Sequence, residues 1–312
     1  MFLRKIRISI TKIILPFLHK ILQLLKANTR TVNFLNDKKI NANNAYNFQT
    51  NIEVLLKNKK LIGLDVGAQG GFNSDKFFPE KYNKYFESIL VDPLKNSLND
   101  KKSSHAINKG LWSSKEIRKL YILNKRPESS SMYEPDRNSL TIYGFEKKDF
   151  HLFDVDKIEM VECDTLSSSL KELNINSLDY LKIDTQGSEL EILKGLESYR
   201  PLIIKCEVQI FPMYKNTPSW TEVTDLLYKL GYIVSDWKKI GSHATRTPVE
   251  MDMVFIPNFL IDSGKKLILE KEKEFISLML ISGQIKLLKK VSKILNLGHS
   301  DLYMKTKDRY FN

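Results

Sequence analysis

The chain has only two cysteines, Cys163 and Cys206, and both lie inside apolar runs. A disulfide framework is therefore not expected, and a reducing compartment is. The five histidines (His19, His105, His151, His243 and His299) are scattered, without the Cys/His spacing of a metal site. Long apolar runs are missing too. The longest near the start, Ile13 to Leu18, is interrupted by Pro16, whereas crossing a bilayer takes about 20 apolar residues. Lys12, Lys20 and Lys26 flank or invade this stretch and no small-residue cleavage site follows, so a secretory signal is not expected. The first 30 residues lack Asp and Glu altogether but hold seven Lys/Arg. Residues 263–312 are also strongly basic, so the net charge of +12 belongs to the two ends and the stretch between is nearly neutral. A nucleic-acid enzyme would carry a basic stripe across its catalytic part. Its absence argues against RNA or DNA substrates and points the ends toward an anionic surface.

What is present is enough apolar residue, 42%, to bury a sizeable core. Residues 1–26 place Ile6, Ile10, Ile13, Phe17, Ile21 and Leu24 at spacings of three and four, with Lys and Arg on the other face. This predicts an amphipathic helix, either packed on the rest of the chain or lying on an anionic membrane surface. Asn28 to Thr50 reads as an Asn-rich linker with short helical pieces.

From Leu61 the pattern changes to short buried strands alternating with helices. Strands are expected at Leu61–Val66, Ser88–Asp92, Ser104–Asn108, Tyr180–Asp184, Pro201–Val208, Tyr232–Trp237 and Met251–Ile256. Arg118–Leu123 and Ile158–Cys163 read as extra strands. Helices are expected at about Ser74–Lys84, Leu166–Leu173, Ser188–Leu196 and Trp220–Leu230. This alternation predicts a mostly parallel sheet with right-handed crossovers, its last two strands forming an edge hairpin. Helical spacing returns in 263–312 through Phe275, Leu278, Met279, Ile285, Leu288, Val291 and Leu295. One or two helices that pack on the domain or on a partner are expected there. The divisions expected are a basic helix and linker over 1–60, a catalytic domain over 61–258 and a basic helical extension over 259–312.

Three segments carry chemistry. Asp65-Val66-Gly67-Ala68-Gln69-Gly70-Gly71 follows the first strand directly. Glycines at such a turn let the backbone approach a ligand. The dinucleotide spacing G-x-G-x-x-G would need glycine at Gln69 and Phe72, so a nicotinamide oxidoreductase is disfavoured. An acid before the first glycine suits a ligand with a methionine-type ammonium. Asp92 ends the second strand, where it can accept from both ribose hydroxyls or cap a helix that starts at Pro93. The third segment runs from Asp179 to Gly195 and contains Lys182-Ile183-Asp184-Thr185-Gln186-Gly187-Ser188-Glu189. Asp184 either serves the reaction or caps the helix, and Glu189 reads as structural. Lys182, in a buried strand, needs a partner such as Glu207 or another acid.

The Asp179–Gly195 run resembles the most characteristic motif of the FkbM-type methyltransferases, a Lys-Ile-Asp strand leading into a Gly-x-Glu helix. The Asp65–Gly71 turn, Asn108–Trp112, the serine-rich loop Ser129–Met132 and Val161–Leu166 resemble further segments of that family. Leu166-Ser167 departs from the Leu-Asp often found there. The resemblance covers about 61–258. It implies a class I, Rossmann-like, doubly wound α/β fold, with S-adenosylmethionine as cofactor and transfer of a methyl group to a hydroxyl of a saccharide or natural product. The expected cofactor residues are Asp65, Gly67, Ala68, Gly70, Asp92 and Asn108. The expected catalytic residues are Asp184, Glu207 and Lys182. A divalent cation between Asp184 and Glu207 is chemically feasible, but no spacing demands one. The location expected is the cytoplasm, including the inner face of its membrane. The competing reading is a non-catalytic module of the same fold that docks through its basic ends on a glycan-assembly machinery or membrane.

Overall fold

A computed structural model describes residues 47–94, 97–99, 102–240 and 248–304. The basic helix expected over 1–26 lies outside them. No described helix is long and apolar enough to cross a membrane.

The larger sheet contains β1 (Leu61–Val66), β2 (Phe86–Val91), β3 (His105–Ile107), β7 (Tyr180–Ile183), β8 (Ile203–Gln209), β9 (Tyr232–Ile240) and β10 (Glu250–Pro257). Their order is β3-β2-β1-β7-β8-β10-β9. The first five are mutually parallel. Strand β10 runs antiparallel to both neighbours, so β9 and β10 close one edge as the expected hairpin. The extra strands form a separate sheet of β4 (Gly110–Leu111), β5 (Glu116–Ile122) and β6 (Lys157–Asp164), in the order β4-β6-β5.

Helices α2 (Leu166–Glu172), α3 (Glu189–Lys194) and α4 (Trp220–Lys229) fall where periodicity places them. Thr165 and Ser219 cap α2 and α4 through their side chains, and Ser219 forms a capping box with Glu222. The helix expected over 74–84 is different. Turns fill its first half, and only Glu80–Tyr85 coils, as a 3-10 helix. Pro79 lacks the amide an α-helix needs there and sits with extended ψ of 133°. Asn73 and Lys76, at φ 58° and 56°, break the run further upstream.

The two faces of the larger sheet have different chemistry. One face is apolar from end to end, with Leu64, Val66, Leu181, Ile183, Ile204, Cys206, Met253 and Phe255 in one cluster. The other changes along the strands. Its amino end carries Leu61, Tyr180, Ile203, Val254 and Ile256. Its middle carries Asp65, Lys182, Lys205 and Asp252, and its carboxyl end Asp184, Glu207 and Glu250.

The apolar end of that face is covered by α1 (Gln49–Leu56) and by three C-terminal helices where one or two were expected. These are α5 (Asp262–Glu270), α6 (Glu272–Ile281) and α7 (Ile285–Leu295). Every residue of α6 from Phe275 to Ile281 is buried, while α7 buries one face through Ile285, Leu288 and Val291. Each of the large apolar side chains among these contributes roughly 1.5–3 kcal/mol when removed from water. Lys271, between α5 and α6, ties the helices to the foot of β7 through Asp179 Oδ1 at 2.8 Å and Ser177 Oγ at 2.6 Å.

Candidate active site

A cavity of about 450 Å³ opens at the carboxyl ends of β1, β2 and β7. The strand order reverses here, since β2 lies on one side of β1 and β7 on the other. Such crevices are where open α/β sheets bind ligands. Val66, Gly67 and Gly70 form one wall, and Asp92 and Leu94 another. Leu111, Leu120, Met132 and Ile192 add apolar surface, and Lys182, Asp184, Thr185, Gln186 and Ser188 close the remaining side.

The glycine turn is held from below. Gly67 has φ +80°, and a Cβ there would stand 1.9 Å from the carbonyl oxygen of Asp184. The backbones of the β1 and β7 turns thus touch, which no side chain would permit. The amides of Gly67 and Ala68 both donate to the Val91 carbonyl, at 2.9 and 3.2 Å. Ala68 is fully buried against Leu90 and Leu98.

Asp65 is also fully buried, beneath the turn and away from the cavity. One carboxylate oxygen accepts from the Asn73 amide at 3.1 Å, and the other from Lys182 Nζ at 3.1 Å. The strand register places these two residues side by side. Lys182 therefore pairs with Asp65 and, at 3.4 Å, with Asp184, and its partner is not Glu207. Burial opposes the Lys182 ammonium, but Asp65, Asp184 and Asp75 outweigh it and hold its pKa above the ordinary lysine value. Burial pushes the Asp65 carboxyl up, and Lys182 offsets this only in part. The partners gain unequally because Lys182 answers three carboxylates while Asp65 has one ammonium. A second ion-pair cluster continues the row, with the buried Lys205 at 2.6 Å from both Asp75 and Asp252.

Asp92 is 4% exposed on the cavity wall. Its Oδ1 accepts from the Leu94 amide and from Ser97 Oγ, both at 2.9 Å, so both bonds fall on one oxygen. Burial raises its pKa and these two bonds lower it, with a net rise. Among the described residues no α-helix starts at Pro93, and Asp92 closes a short turn through the Leu94 amide.

Glu189, the first residue of α3, holds the turn that leads into the helix. Its Oε1 accepts from the Thr185 amide at 3.0 Å, the Thr185 hydroxyl at 3.1 Å and the Gly187 amide at 3.2 Å. This leaves the Asp184 carboxylate facing the cavity, with Lys182 beside it.

Glu207 stands just beyond the cavity wall. Gln186, with φ 58°, bridges to it, since Gln186 Nε2 donates to Glu207 at 3.1 Å and the Tyr214 hydroxyl lies 3.0 Å from Gln186 Oε1. The Gln186 carbonyl accepts from Ser131 Oγ at 2.7 Å, which ties the serine-rich loop to this turn. Burial, then the charges of Asp184 and Glu250, push the Glu207 carboxyl well above the carboxylate range. Burial, Asp184 and Glu189 push Glu250 up to about 7.

Of the expected residues, the cavity therefore gathers Gly67, Gly70, Asp92, Lys182 and Asp184. Asp65 and Ala68 support it from beneath, Glu207 adjoins it, and Asn108 is exposed outside it, next to the lining residue Lys109. The sequence reading does not single out Glu250, Gln186 or Ser188. The signal for Glu250 is the acid–apolar alternation Glu250-Met251-Asp252-Met253, which puts two acids on the face that holds Lys205 and Glu207.

A family model for the methyltransferase FkbM domain matches residues 65–234, more than half of the chain. The match takes in both cavity turns, Asp92, the serine-rich loop and Glu207. The chain belongs to this FkbM family and is a methyltransferase. A comparison with curated proteins found no match.

Proposed function

We propose that the cavity binds S-adenosylmethionine and that the chain transfers its methyl group to a hydroxyl of a saccharide or similar polar small molecule. The observation that carries this reading is Asp92, buried at the end of β2 on the wall of a switch-point cavity, with both its hydrogen bonds on Oδ1. Its other oxygen suits a ribose diol. The strand order, read outward in both directions from the β1–β7 junction, supports the class I, Rossmann-like, doubly wound assignment.

The lining fits this cofactor. Its volume lies within the range of small-molecule sites. Leu94, Leu111 and Met132 offer apolar surface to a purine. Asp65 would act through the turn it holds, because both its oxygens are already engaged. Asp184 is the carboxylate that would face the positive end of the cofactor.

When bound, S-adenosylmethionine supplies an electrophilic methyl group. Asp184 would position the acceptor hydroxyl and accept its proton as the methyl group is transferred. Lys182 holds Asp184 in place and balances its charge. Glu207, fixed by Gln186, shapes the acceptor side.

Replacing Asp92 by alanine should weaken cofactor binding by about 1.5–3 kcal/mol, the loss of a charge-assisted bond. Titration calorimetry with S-adenosylmethionine checks this. Unchanged affinity in a folded Asp92→Ala protein would remove the ribose role.

A further inference from the structure

The Tyr214 hydroxyl has one proton and two acceptors within reach. It lies 2.7 Å from the Ser129 carbonyl and 3.0 Å from Gln186 Oε1. The contact with Ser129 is buried, Tyr214 being 1% and Ser129 4% exposed. On its other side the Gln186 amide reaches Glu207, with Nε2 3.1 Å from Glu207 Oε1. Ser129, Tyr214, Gln186 and Glu207 thus form a chain of hydrogen bonds whose direction depends on whether Glu207 carries a proton.

With Glu207 ionised, Gln186 Nε2 donates to the carboxylate and Gln186 Oε1 faces the phenol. The single phenol proton then serves either Gln186 or Ser129, and one acceptor goes short. With Glu207 protonated, half a turn of the Gln186 amide exchanges its oxygen and nitrogen in nearly the same space. The acid then donates to Gln186 Oε1, Gln186 Nε2 donates to the phenol oxygen, and Tyr214 donates to Ser129. Each donor in that arrangement meets one acceptor, and no buried polar group is left over.

The surroundings of Glu207 favour the proton. Asp184 faces it from the end of β7, Glu189 from α3, and Glu250 and Asp252 from β10. The Tyr143 and Tyr214 phenols face it as well. The lysines of the flanking strands are engaged, Lys182 by Asp65 and Asp184, Lys205 by Asp75 and Asp252. Arg126 acts on Glu250 and Tyr214 and bonds Glu128 at 3.3 Å. Burial and the Asp184 charge accordingly hold the Glu207 carboxyl well above the carboxylate range.

The other end of the chain is a wall of the cofactor cavity. Ser130, Ser131 and Met132 of the serine-rich loop line it, as does Gln186. Two bonds join that loop to the β7 and β8 side, from Tyr214 to the Ser129 carbonyl and from Ser131 Oγ to the Gln186 carbonyl at 2.7 Å. Both run through this chain, and Gln186 is held in it at a left-handed φ of 58°.

We infer that Tyr214 and Gln186 are positioning residues for the cofactor, which seat the serine-rich loop on the cavity when Glu207 is protonated and free the Ser129 carbonyl when it is not. The inference rests on the cofactor reading above.

S-Adenosylhomocysteine is the probe, because it is uncharged at sulfur and needs no acceptor. Calorimetry on the full chain measures its binding at pH 5.5 and pH 8, in two buffers of different ionisation enthalpy. The tighter state is the protonated one, so affinity is lost as pH rises through the folded value of Glu207. The parent is expected to bind at least about threefold more weakly at pH 8, the worth of one net hydrogen bond, and to take up protons on binding there. In Glu207→Gln the new amide donates to Gln186 Oε1 at any pH. Its affinity should stay within about twofold of the parent's pH 5.5 value at both pH values, without proton uptake. Tyr214→Phe cuts the chain and should bind weakly at both. If one variant does not fold, the other decides. A pH response that the variants retain, or none in the parent, would overturn the positioning role and leave the cofactor reading standing. Failure of all three proteins to bind the probe would overturn the cofactor reading and the inference with it.

Discussion

Replacing Lys182 by methionine is expected to destabilise the protein by about 3–5 kcal/mol, the range for removing one partner of a buried ion pair. Lys182 is 2% exposed and Asp65 is fully buried. Methionine fills a similar volume, so little of the effect would come from a cavity. What remains is an Asp65 carboxyl with only the Asn73 amide to bond. Its pKa is already raised by burial, and loss of the ammonium would raise it further. A carboxyl whose folded-state pKa is raised binds a proton on folding at pH values between its unfolded and folded pKa. Its destabilising effect is therefore relieved as pH falls and grows as pH rises through the folded value. Denaturant unfolding at pH 8 and pH 5 should show a larger loss at the higher pH. Equal stability of variant and parent at both pH values would mean that Lys182 and Asp65 are not coupled as the distances indicate.

The same pair shows what the sequence discloses and what it withholds. That a lysine in the buried strand Tyr180–Ile183 needs an acidic partner follows from desolvation alone. Which acid follows only from register, and Asp65 lies 117 residues away in the chain. Strand β1 pairs with β7 because the sheet winds outward from β1, and that neighbour relation brings Asp65 beside Lys182. Local periodicity places the strands and three of the helices well, because each is a short-range pattern. It fails at 74–84, where Pro79 and two left-handed residues override the apolar spacing. It also cannot find Glu250, whose meaning depends on the antiparallel neighbour β8, where Glu207, 43 residues earlier, lies diagonal to it on the same face. Asp184 is intermediate. Its strand-end position is legible, but its freedom from capping becomes visible only when Glu189 is seen to hold the Thr185 and Gly187 amides.

That freedom makes Asp184→Asn the decisive substitution for catalysis. Asparagine caps helices about as well as aspartate, so a capping residue would tolerate the change. Here Glu189 takes the amides of the turn before the helix, and Asp184 faces the cavity with Lys182 at 3.4 Å. The substitution keeps shape and removes the group proposed to accept the hydroxyl proton. Loss of a positioned base costs roughly 10²–10⁴ in rate. Lys182 retains Asp65 as a partner, so the fold should survive. The expected result is near-abolished methyl incorporation from labelled S-adenosylmethionine into glycan extracts, with cofactor affinity by calorimetry changed far less. Rates within a few fold of the parent, in a variant with parent-like unfolding, would take the base role from Asp184. The elevated carboxyls of Glu207 and Glu250 would then be the groups to replace next, because both lie on the same face at the same end of the sheet.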